Sequence, residues 1–311
     1  MRQFLLRLAG QTLGFIGFIL TMGLIAPMHP KMEAKLFTRG GGFGNTHQRI
    51  PEFKQKLQTE GIELLFLGSS TCYRGINPVS FEDKLGMTTF NLCSSSQALS
   101  NSSRMLGWLN SSASLTKAIV LDVYPALWNS SGVECARDIG TNHNTTFDWT
   151  IARIASSSGD PFTVLNALYF GSKALRGIDS QFSTPRNGDD YRGLGFTWSN
   201  HHAVEPVKCL PISVSLNPTQ MSGLSSIRET CEEKGIKLLL VNPPQLCEEV
   251  FEKPEVMEGL PWIEGNGWPL AKVDTLYYDD HHLRGVGAEL YSEWLSEQVE
   301  AVLIDTPAQA N

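Results

Sequence analysis

The sequence predicts an α/β domain in which helices cover both faces of a parallel β-sheet. Short apolar runs of strand length alternate along the chain with longer segments of helical periodicity. Strands that alternate with helices in this way form parallel sheets with helices on both sides. The content of 41% hydrophobic and 18% charged residues is that of a folded globular chain, not of a disordered or collagen-like one.

Four apolar runs are the predicted strands. They are residues 62–67, 88–92, 118–123 and 236–241. The first run lies between Gly61 and Gly68, and a short apolar run bounded in this way is typical of a strand buried in a parallel sheet. Helical periodicity is found in residues 98–110, 219–234 and 285–303. Together these elements predict one domain over residues 61–305.

A long segment interrupts the alternation of strands and helices. Residues 128–211 are rich in Ser, Asn, Gly and His, with one apolar stretch of helical character at 161–175. About 80 residues between two core strands are too many for an ordinary loop. We therefore expect an insertion or cap over the edge where the strands end. Residues 31–60 are interpreted as a membrane-proximal stem, and residues 306–311 as a tail.

Residues 1–30 are predicted to be an N-terminal membrane anchor. No Asp, Glu, Lys or Arg occurs in residues 8–29, and a helix of that length spans about 33 Å, the thickness of a bilayer's hydrocarbon core. Arg2 and Arg7 precede the apolar run, which suits a cytoplasmic N-terminus and a single-pass protein. A cleaved signal peptide and a buried hydrophobic helix are the alternatives. An anchor and a signal peptide both place the domain outside the cytoplasm.

Charge and cysteine spacing argue against two classes of site. The chain has a net charge of −7 and a pI of about 5.5, whereas a nucleic-acid-binding protein needs a basic surface, so no nucleic acid is expected as a partner. The six cysteines contain no CxxC spacing, which argues against a structural zinc site. An exported domain could pair some of them, and their connectivity stays open.

A serine at the end of the first predicted strand is the first candidate for chemistry. The apolar run ends in Gly68, and Ser69 and Ser70 follow directly. In open parallel sheets, ligands bind at the carboxyl ends of the strands. A serine at this edge can present its hydroxyl to a ligand, and neighbouring backbone N–H groups can hold a developing oxyanion.

An Asp–His pair before the last predicted helix is the second candidate. Asp279 precedes His282 by three residues at a loop-to-helix junction. There the carboxylate can fix the tautomer of the imidazole, whose other nitrogen can accept the serine proton. His281 is the alternative base. These three residues and Asp280 could also bind a metal, but adjacent residues on a turn rarely face one ion, so neither a metal nor a cofactor is predicted.

These two motifs resemble the first and last sequence blocks of the SGNH/GDSL hydrolase superfamily. The resemblance is to its membrane-anchored, extracytoplasmic branch, which includes the teichoic-acid D-alanylation protein DltD and the alginate O-acetyltransferases. It implies a three-layer α/β/α fold with a flavodoxin-like parallel sheet. Gly68-Ser69-Ser70 stands where the family has Gly-Asp-Ser, so the nucleophile maps to Ser70. Asp279 and His282 map to the orienting acid and the base.

The resemblance also implies an oxyanion hole. Residues 91–96 read Asn-Leu-Cys-Ser-Ser-Ser and resemble the second block, in which the backbone N–H of a small residue contributes. Here the N–H groups of Ser70 and of Cys93 or Ser94 would serve. The third block departs from the family, because the strand at 118–123 is not followed by the Asn that completes the hole. Loss of one such donor can lower the rate by about 10²–10³.

The resemblance implies a membrane-anchored, extracytoplasmic serine esterase or O-acyltransferase. Its expected substrate is an acylated glycan or another ester of the cell envelope. Ser70 would attack the ester, and the acyl group would pass to water or to a sugar hydroxyl. Transfer to a sugar would require a membrane acyltransferase as partner. The missing third-block Asn favours the alternative, a catalytically weak scaffold or glycan-binding protein on the same fold.

Overall fold

A computed structural model of the chain describes residues 1–25, 45–110, 115–143, 148–175, 188–205, 209, 214–247 and 252–305. The strands in these residues are β1 Leu64–Leu67, β2 Thr89–Asn91, β3 Ala118–Asp122, β4 Asp189–Gly193, β5 Phe196–Ser199, β6 Lys237–Asn242 and β7 Trp262–Glu264. The helices are α1 Arg2–Ile25, α2 Thr46–Thr59, α3 Ser70–Gly75, α4 Pro78–Leu85, α5 Leu99–Met105, α6 Val133–Asn142, α7 Trp149–Ser157, α8 Pro161–Leu175, α9 Pro218–Lys234 and α10 Gly285–Asp305.

Five of the strands form one parallel sheet, so the predicted α/β class is confirmed. Their order is β2-β1-β3-β6-β7. The four apolar runs supply the first four positions, and each predicted boundary lies within two residues of the observed one. The edge strand β7 pairs with β6 through the register of Leu240 with Trp262. Sequence reasoning missed β7, because three residues are too few to show a periodic pattern.

The two faces of the sheet bury apolar side chains in two separate cores. Leu65 and Leu67 of β1 enter the core that contains Phe53 of α2. Leu64 and Phe66 alternate with them and enter the opposite core. Helices α2, α5, α6, α7, α8 and α9 contribute to the first core, and α3, α4 and α10 to the second. Because both faces are covered, every position of β1 is apolar and buried. This arrangement is compatible with a three-layer α/β/α fold.

Two helices show how the local sequence sets their ends. Asn77 before α4 and Asn217 before α9 each accept a hydrogen bond from the backbone N–H two residues later, at 3.2 and 2.9 Å. A proline follows each asparagine at the first helical position, where its fixed φ fits and its missing N–H costs nothing. Gly86 and Gly235 end the two helices in the left-handed region, at φ +62° and +65°.

The segment 128–211 lies between β3 and β6 and is more structured than its composition indicates. It contains α6, α7 and the antiparallel hairpin β4–β5, and the predicted helix at 161–175 is α8. The hairpin packs against α3 through a buried ion pair, in which Arg74 Nη2 lies 2.6 Å from Asp189 Oδ2. The inserted segment therefore supports the helix that begins with Ser70.

The N-terminal helix α1 covers most of the predicted anchor at residues 1–30. Among the residues that the structure describes, no helix is both long and apolar enough to cross a membrane. This finding does not confirm the predicted transmembrane helix. Residues 26–30 of the anchor and residues 31–44 of the predicted stem lie outside the described residues, as does the tail at 306–311. The rest of the predicted stem contains α2.

Two disulfide bonds answer the open question of cysteine pairing. Cys72 is bonded to Cys93, and Cys209 to Cys247. The first bond joins α3 to the loop that follows β2. The other two cysteines are buried free thiols, Cys135 and Cys231. Disulfides in a domain of this size are typical of proteins that fold in an oxidising compartment.

Candidate active site

Ser70 is the first residue of α3, and Gly68 and Ser69 connect it to the end of β1. Gly68 has φ +153°, and a Cβ at this position would lie 2.3 Å from Cβ of Asp122. Only glycine therefore fits between the strand and its neighbour. Ser69 caps α3, since its hydroxyl accepts a hydrogen bond from the N–H two residues later at 3.4 Å. This turn places the hydroxyl of Ser70 at the carboxyl edge of the sheet, where ligands bind in such folds.

Asp122, at the end of β3, holds the turn before Ser70 in shape. Its Oδ2 accepts hydrogen bonds from the N–H and hydroxyl of Ser69, at 3.2 and 3.1 Å, and from the hydroxyl of Thr71 at 2.5 Å. Its Oδ1 accepts one from the N–H of Tyr124 at 2.8 Å. Burial raises the pKa of Asp122, and these hydrogen bonds oppose the rise. Asp122 does not line the cavity in front of Ser70, so its role is structural.

The structure brings the three predicted triad residues together. His282 Nε2 lies 2.7 Å from Ser70 Oγ, and His282 Nδ1 lies 2.7 Å from Asp279 Oδ2. The other oxygen of Asp279 accepts hydrogen bonds from the backbone N–H groups of His282 and His281, at 2.7 and 3.1 Å. The three-residue spacing of Asp279 and His282 closes a turn that fixes the carboxylate against the ring. A serine, an imidazole and a carboxylate thus form one hydrogen-bonded chain.

The electrostatics of this chain suit a general base. Burial lowers the pKa of His282 to about 4, and the hydrogen bond to Asp279 only partly opposes the shift. Burial alone would raise the pKa of Asp279, but the hydrogen bond and charge of His282 hold it far below its usual range. At neutral pH the imidazole is therefore neutral and the carboxylate is charged. A neutral imidazole can accept the proton of Ser70.

A tyrosine ring is stacked on the face of each of the two histidines, His281 and His282. The rings of Tyr278 and His282 are stacked with centroids 5.2 Å apart and an interplanar angle of 1°. The ring of Tyr124 is stacked on His281 at 5.1 Å and 12°. Sequence reasoning assigned no role to either tyrosine. Tyr278 directly precedes the Asp-x-x-His motif, and Tyr124 follows a predicted strand. These two positions are the features of the sequence that could have pointed to the tyrosines.

A cavity of about 370 Å³ lies in front of Ser70. His281 and His282 line it together with Ser95, Ser96 and several other residues. Glu134, from the inserted segment, is also in the wall and accepts a hydrogen bond from the hydroxyl of Ser95. Hydroxyl groups and a carboxylate close to the serine make this a site for a polar ligand.

Two of the predicted oxyanion donors are engaged elsewhere. The N–H of Cys93 donates to Asn91 Oδ1 at 3.1 Å. The N–H of Ser94 donates to the carbonyl oxygen of Gly68 at 3.0 Å, which continues the pairing of the loop with the end of β1. In this structure neither of these two groups is free to complete an oxyanion hole, so their predicted role stays a prediction.

The next two residues of the loop, Ser95 and Ser96, have backbone N–H groups that are not engaged in this way. Ser94 and Gln97 close a turn with a hydrogen bond of 3.4 Å, and Ser96 occupies the left-handed region at φ +45°. Within the described ranges, no hydrogen bond occupies the backbone N–H of Ser70, Ser95 or Ser96. All three residues line the cavity. The run of three serines gave a signal for this loop, but only the turn decides which N–H groups are free.

The alternative of a metal site rests on the same loop. Asp279, His281 and His282 offer ligand atoms that lie within 4.8 Å of one another. Both ring nitrogens of His282 are already in hydrogen bonds, to Asp279 and to Ser70. Neither ring nitrogen of His282 is free to bind an ion while these hydrogen bonds are in place.

No protein-family model matches this sequence, and no match to it is found among curated proteins. The functional conclusion therefore depends on the geometry of the site.

Proposed function

We propose that this protein is an extracytoplasmic serine esterase or O-acyltransferase of the SGNH/GDSL type. The observation that carries the proposal is the hydrogen-bonded chain from Ser70 through His282 to Asp279, with two bonds of 2.7 Å. In this chain Ser70 is the nucleophile, His282 the base and then the acid, and Asp279 the group that orients the imidazole.

The strand order supports the assignment to this superfamily. Numbered within the sheet, the order β2-β1-β3-β6-β7 is 2-1-3-4-5, the flavodoxin-like order. The serine follows the first strand, and the Asp-x-x-His motif precedes the last helix, α10. The order of the two motifs and their position at one edge of the sheet support the proposal.

The proposed reaction proceeds through an acyl-serine. Ser70 Oγ attacks the ester carbonyl carbon while its proton passes to His282 Nε2. The carbon–oxygen bond to the alcohol breaks, and the leaving oxygen takes that proton from His282. Water or a sugar hydroxyl then gives a proton to His282 and attacks the acyl carbon, and Ser70 Oγ recovers the proton as it leaves. The N–H groups of Ser70 and of Ser95 or Ser96 would hold the negatively charged oxygen.

The proposed substrate is an acylated glycan or another ester of the cell envelope. The serine hydroxyls and the Glu134 carboxylate in the cavity wall support a ligand with hydroxyl groups, and the tyrosine rings of the wall can pack on its apolar faces. The two disulfides support a location outside the cytoplasm, with residues 1–30 as the proposed attachment to the membrane. A membrane acyltransferase partner is part of the proposal only for the transfer reaction, because that reaction needs an acyl donor.

A second candidate function is a scaffold or glycan-binding protein with little turnover. The absence of the third-block Asn favours it, and so do the engaged N–H groups of Cys93 and Ser94. Under this alternative the cavity binds its ligand but Ser70 is not activated as a nucleophile.

Active-site labelling separates the two candidates. The full chain is treated with a fluorophosphonate probe, and the adduct is located by mass spectrometry. We expect a single adduct on Ser70 that is lost in the Ser70→Ala and His282→Ala variants. Ser130→Ala is the matched control, because Ser130 lines the same cavity outside the hydrogen-bonded chain and its loss should leave the adduct in place. A folded wild-type chain without an adduct would favour the scaffold.

A further inference from the structure

We propose that His281 orients the water molecule that releases the acyl group from Ser70, and that it thereby directs the site to hydrolysis rather than transfer. The inference rests on the proposed function, because it concerns the second half of that reaction. His281 is not part of the hydrogen-bonded chain of Ser70, His282 and Asp279. It is a second imidazole beside that chain.

His281 lies next to His282 at the cavity in front of Ser70. Its ring centroid lies 4.0 Å from that of His282, with an interplanar angle of 41°. Both imidazoles line the cavity in front of Ser70. The side chain of His281 is 26% exposed, so a small molecule in the cavity can reach it. A water molecule that attacks the acyl-serine must lie next to His282, and therefore close to His281.

The surroundings of His281 fix its ring and its tautomer. Tyr124 is stacked on one face, and the backbone N–H of His281 is bonded to Asp279. Asp280 Oδ1 lies 2.5 Å from His281 Nδ1, and the backbone oxygen of Asp280 accepts a hydrogen bond from the N–H of Leu246 at 2.9 Å. Since a carboxylate only accepts, Nδ1 carries a hydrogen, and in the neutral form of the ring Nε2 is the acceptor. Nothing in the described ranges donates to that Nε2.

Two imidazole acceptors suit the two hydrogens of a water molecule. One hydrogen passes to His282 Nε2 as the water oxygen attacks the acyl carbon. The other hydrogen stays on the oxygen and is held by His281 Nε2. The bond between the acyl carbon and Ser70 Oγ then breaks, Oγ takes the proton from His282, and the free acid leaves. His281 is unchanged at the end, so it acts as a positioning residue.

An alcohol acceptor does not gain from this arrangement. A sugar hydroxyl has one hydrogen, which must go to His282, so it has none to donate to His281. The second acceptor therefore favours water over an alcohol at the same acyl-serine. Loss of correct positioning of a reacting group can cost about 10²-fold in rate.

The test measures how much of the acyl group on Ser70 is transferred to water and how much to methanol. Full-length protein is given p-nitrophenyl acetate with added methanol, and the burst, the steady-state rate, acetate and methyl acetate are followed. His281→Phe keeps a ring on Tyr124 and removes the acceptor. We expect its burst rate to stay within about twofold, while its steady-state hydrolysis falls about 10–100-fold. The ratio of methyl acetate to acetate should rise.

Two further variants separate positioning from folding. His281→Gln keeps an amide acceptor and should recover part of the lost hydrolysis. Asp280→Asn releases the tautomer of His281, and a smaller shift toward methyl acetate is expected. If His281→Phe does not fold, these two variants still decide the proposal. His202→Phe is the matched control, since His202 is exposed outside the cavity and its loss should change neither rate nor ratio.

The failure of this inference can be told apart from the failure of the proposed function. An unchanged ratio of methyl acetate to acetate in His281→Phe, Asp280→Asn and His281→Gln, with a normal burst, would overturn the role of His281 alone. A burst that falls in parallel with the steady-state rate would also overturn it, because His281 would then serve acylation. A wild-type chain with no burst and no adduct on Ser70 would overturn the proposed function and this inference together.

Discussion

The ring of Tyr278 lies parallel to the imidazole of His282, with centroids 5.2 Å apart and an interplanar angle of 1°. The backbone N–H of Tyr278 also donates to the carbonyl oxygen of His282 at 3.1 Å. The two nitrogens of the imidazole are hydrogen-bonded to Asp279 and to Ser70. The two hydrogen bonds fix the rotation of the imidazole within its own plane, and the stacked tyrosine ring fixes the tilt of that plane.

This stacking predicts that the ring of Tyr278 matters and its hydroxyl does not. The hydroxyl is buried and has no hydrogen-bond partner among the described residues. We expect the fluorophosphonate probe to label Ser70 of the Tyr278→Phe variant at the wild-type rate. The free energy of unfolding should rise by up to about 1 kcal/mol, because the variant lacks the unpaired buried hydroxyl. Tyr278→Leu removes the stacked ring and should slow labelling about tenfold. Labelling kinetics and urea denaturation measure both effects, and equal labelling rates in the two variants would contradict the prediction.

The low pKa of His282 predicts the pH dependence of labelling. Only the neutral imidazole accepts the Ser70 proton, so the rate should rise with pH through about 4 and be constant from pH 6 to 8. An exposed histidine would give an inflection near 6.5, and that result would contradict the assignment. The unfolded chain takes up this proton first as pH falls from 6.5 to 4, so His282 lowers stability in that window. Circular dichroism at each pH is the control for unfolding.

Asp122 is predicted to stabilise the turn before Ser70. Asp122→Ala leaves the N–H groups of Ser69 and Tyr124 and two hydroxyls without their acceptor. We expect a loss of about 3 kcal/mol in the free energy of unfolding, measured by urea denaturation. Asp122→Asn keeps acceptor oxygen and shape, and should lose less. Equal losses in the two variants would show that the hydrogen bonds do not hold the turn.

The disulfide between Cys72 and Cys93 is predicted to stabilise both the fold and the site. It closes a loop with a sequence separation of 21, for which chain entropy gives about 3 kcal/mol. A Cys72→Ala/Cys93→Ala double variant should lose about that amount in urea denaturation. It should also label more slowly, because the bond ties α3 to the loop that carries Ser95 and Ser96. Cys231→Ala, a buried free thiol away from the cavity, is the control and should label normally.

Local signals in the sequence determined the central strands and the principal helices around them. Apolar runs bounded by glycine, proline or asparagine predict buried strands, because a strand covered on both faces needs an apolar residue at every position. The spacing of Asp279 and His282 predicts their contact, because three residues of a turn are enough to bring the side chains together. The rule that ligands bind at the carboxyl ends of parallel strands predicts a functional serine at residues 69–70. The resemblance to the SGNH/GDSL superfamily is what selects Ser70 of the two.

Tertiary structure decided which N–H groups of the loop after β2 are left without a hydrogen bond among the described residues. Cys93, Ser94, Ser95 and Ser96 are all small residues in one loop, and the sequence does not distinguish them. The carbonyl oxygen of Gly68, which follows strand β1, accepts a hydrogen bond from the N–H of Ser94. The two following residues line the cavity, and their N–H groups have no such partner in the described part of the chain. The partner that makes the difference lies in a different strand, so no local pattern reports it.

The sequence by itself therefore determined the α/β class, the four central strands and the identity of the serine, histidine and aspartate that meet at the sheet edge. Only the tertiary structure decided the disulfide pairs, the docking of Asp189 on Arg74, and the rings that hold His281 and His282. The physical reason is the range of the interactions. Periodicity and turn chemistry act over a few residues, whereas most of these contacts join segments far apart in the chain and form only when the sheet and its helices are packed.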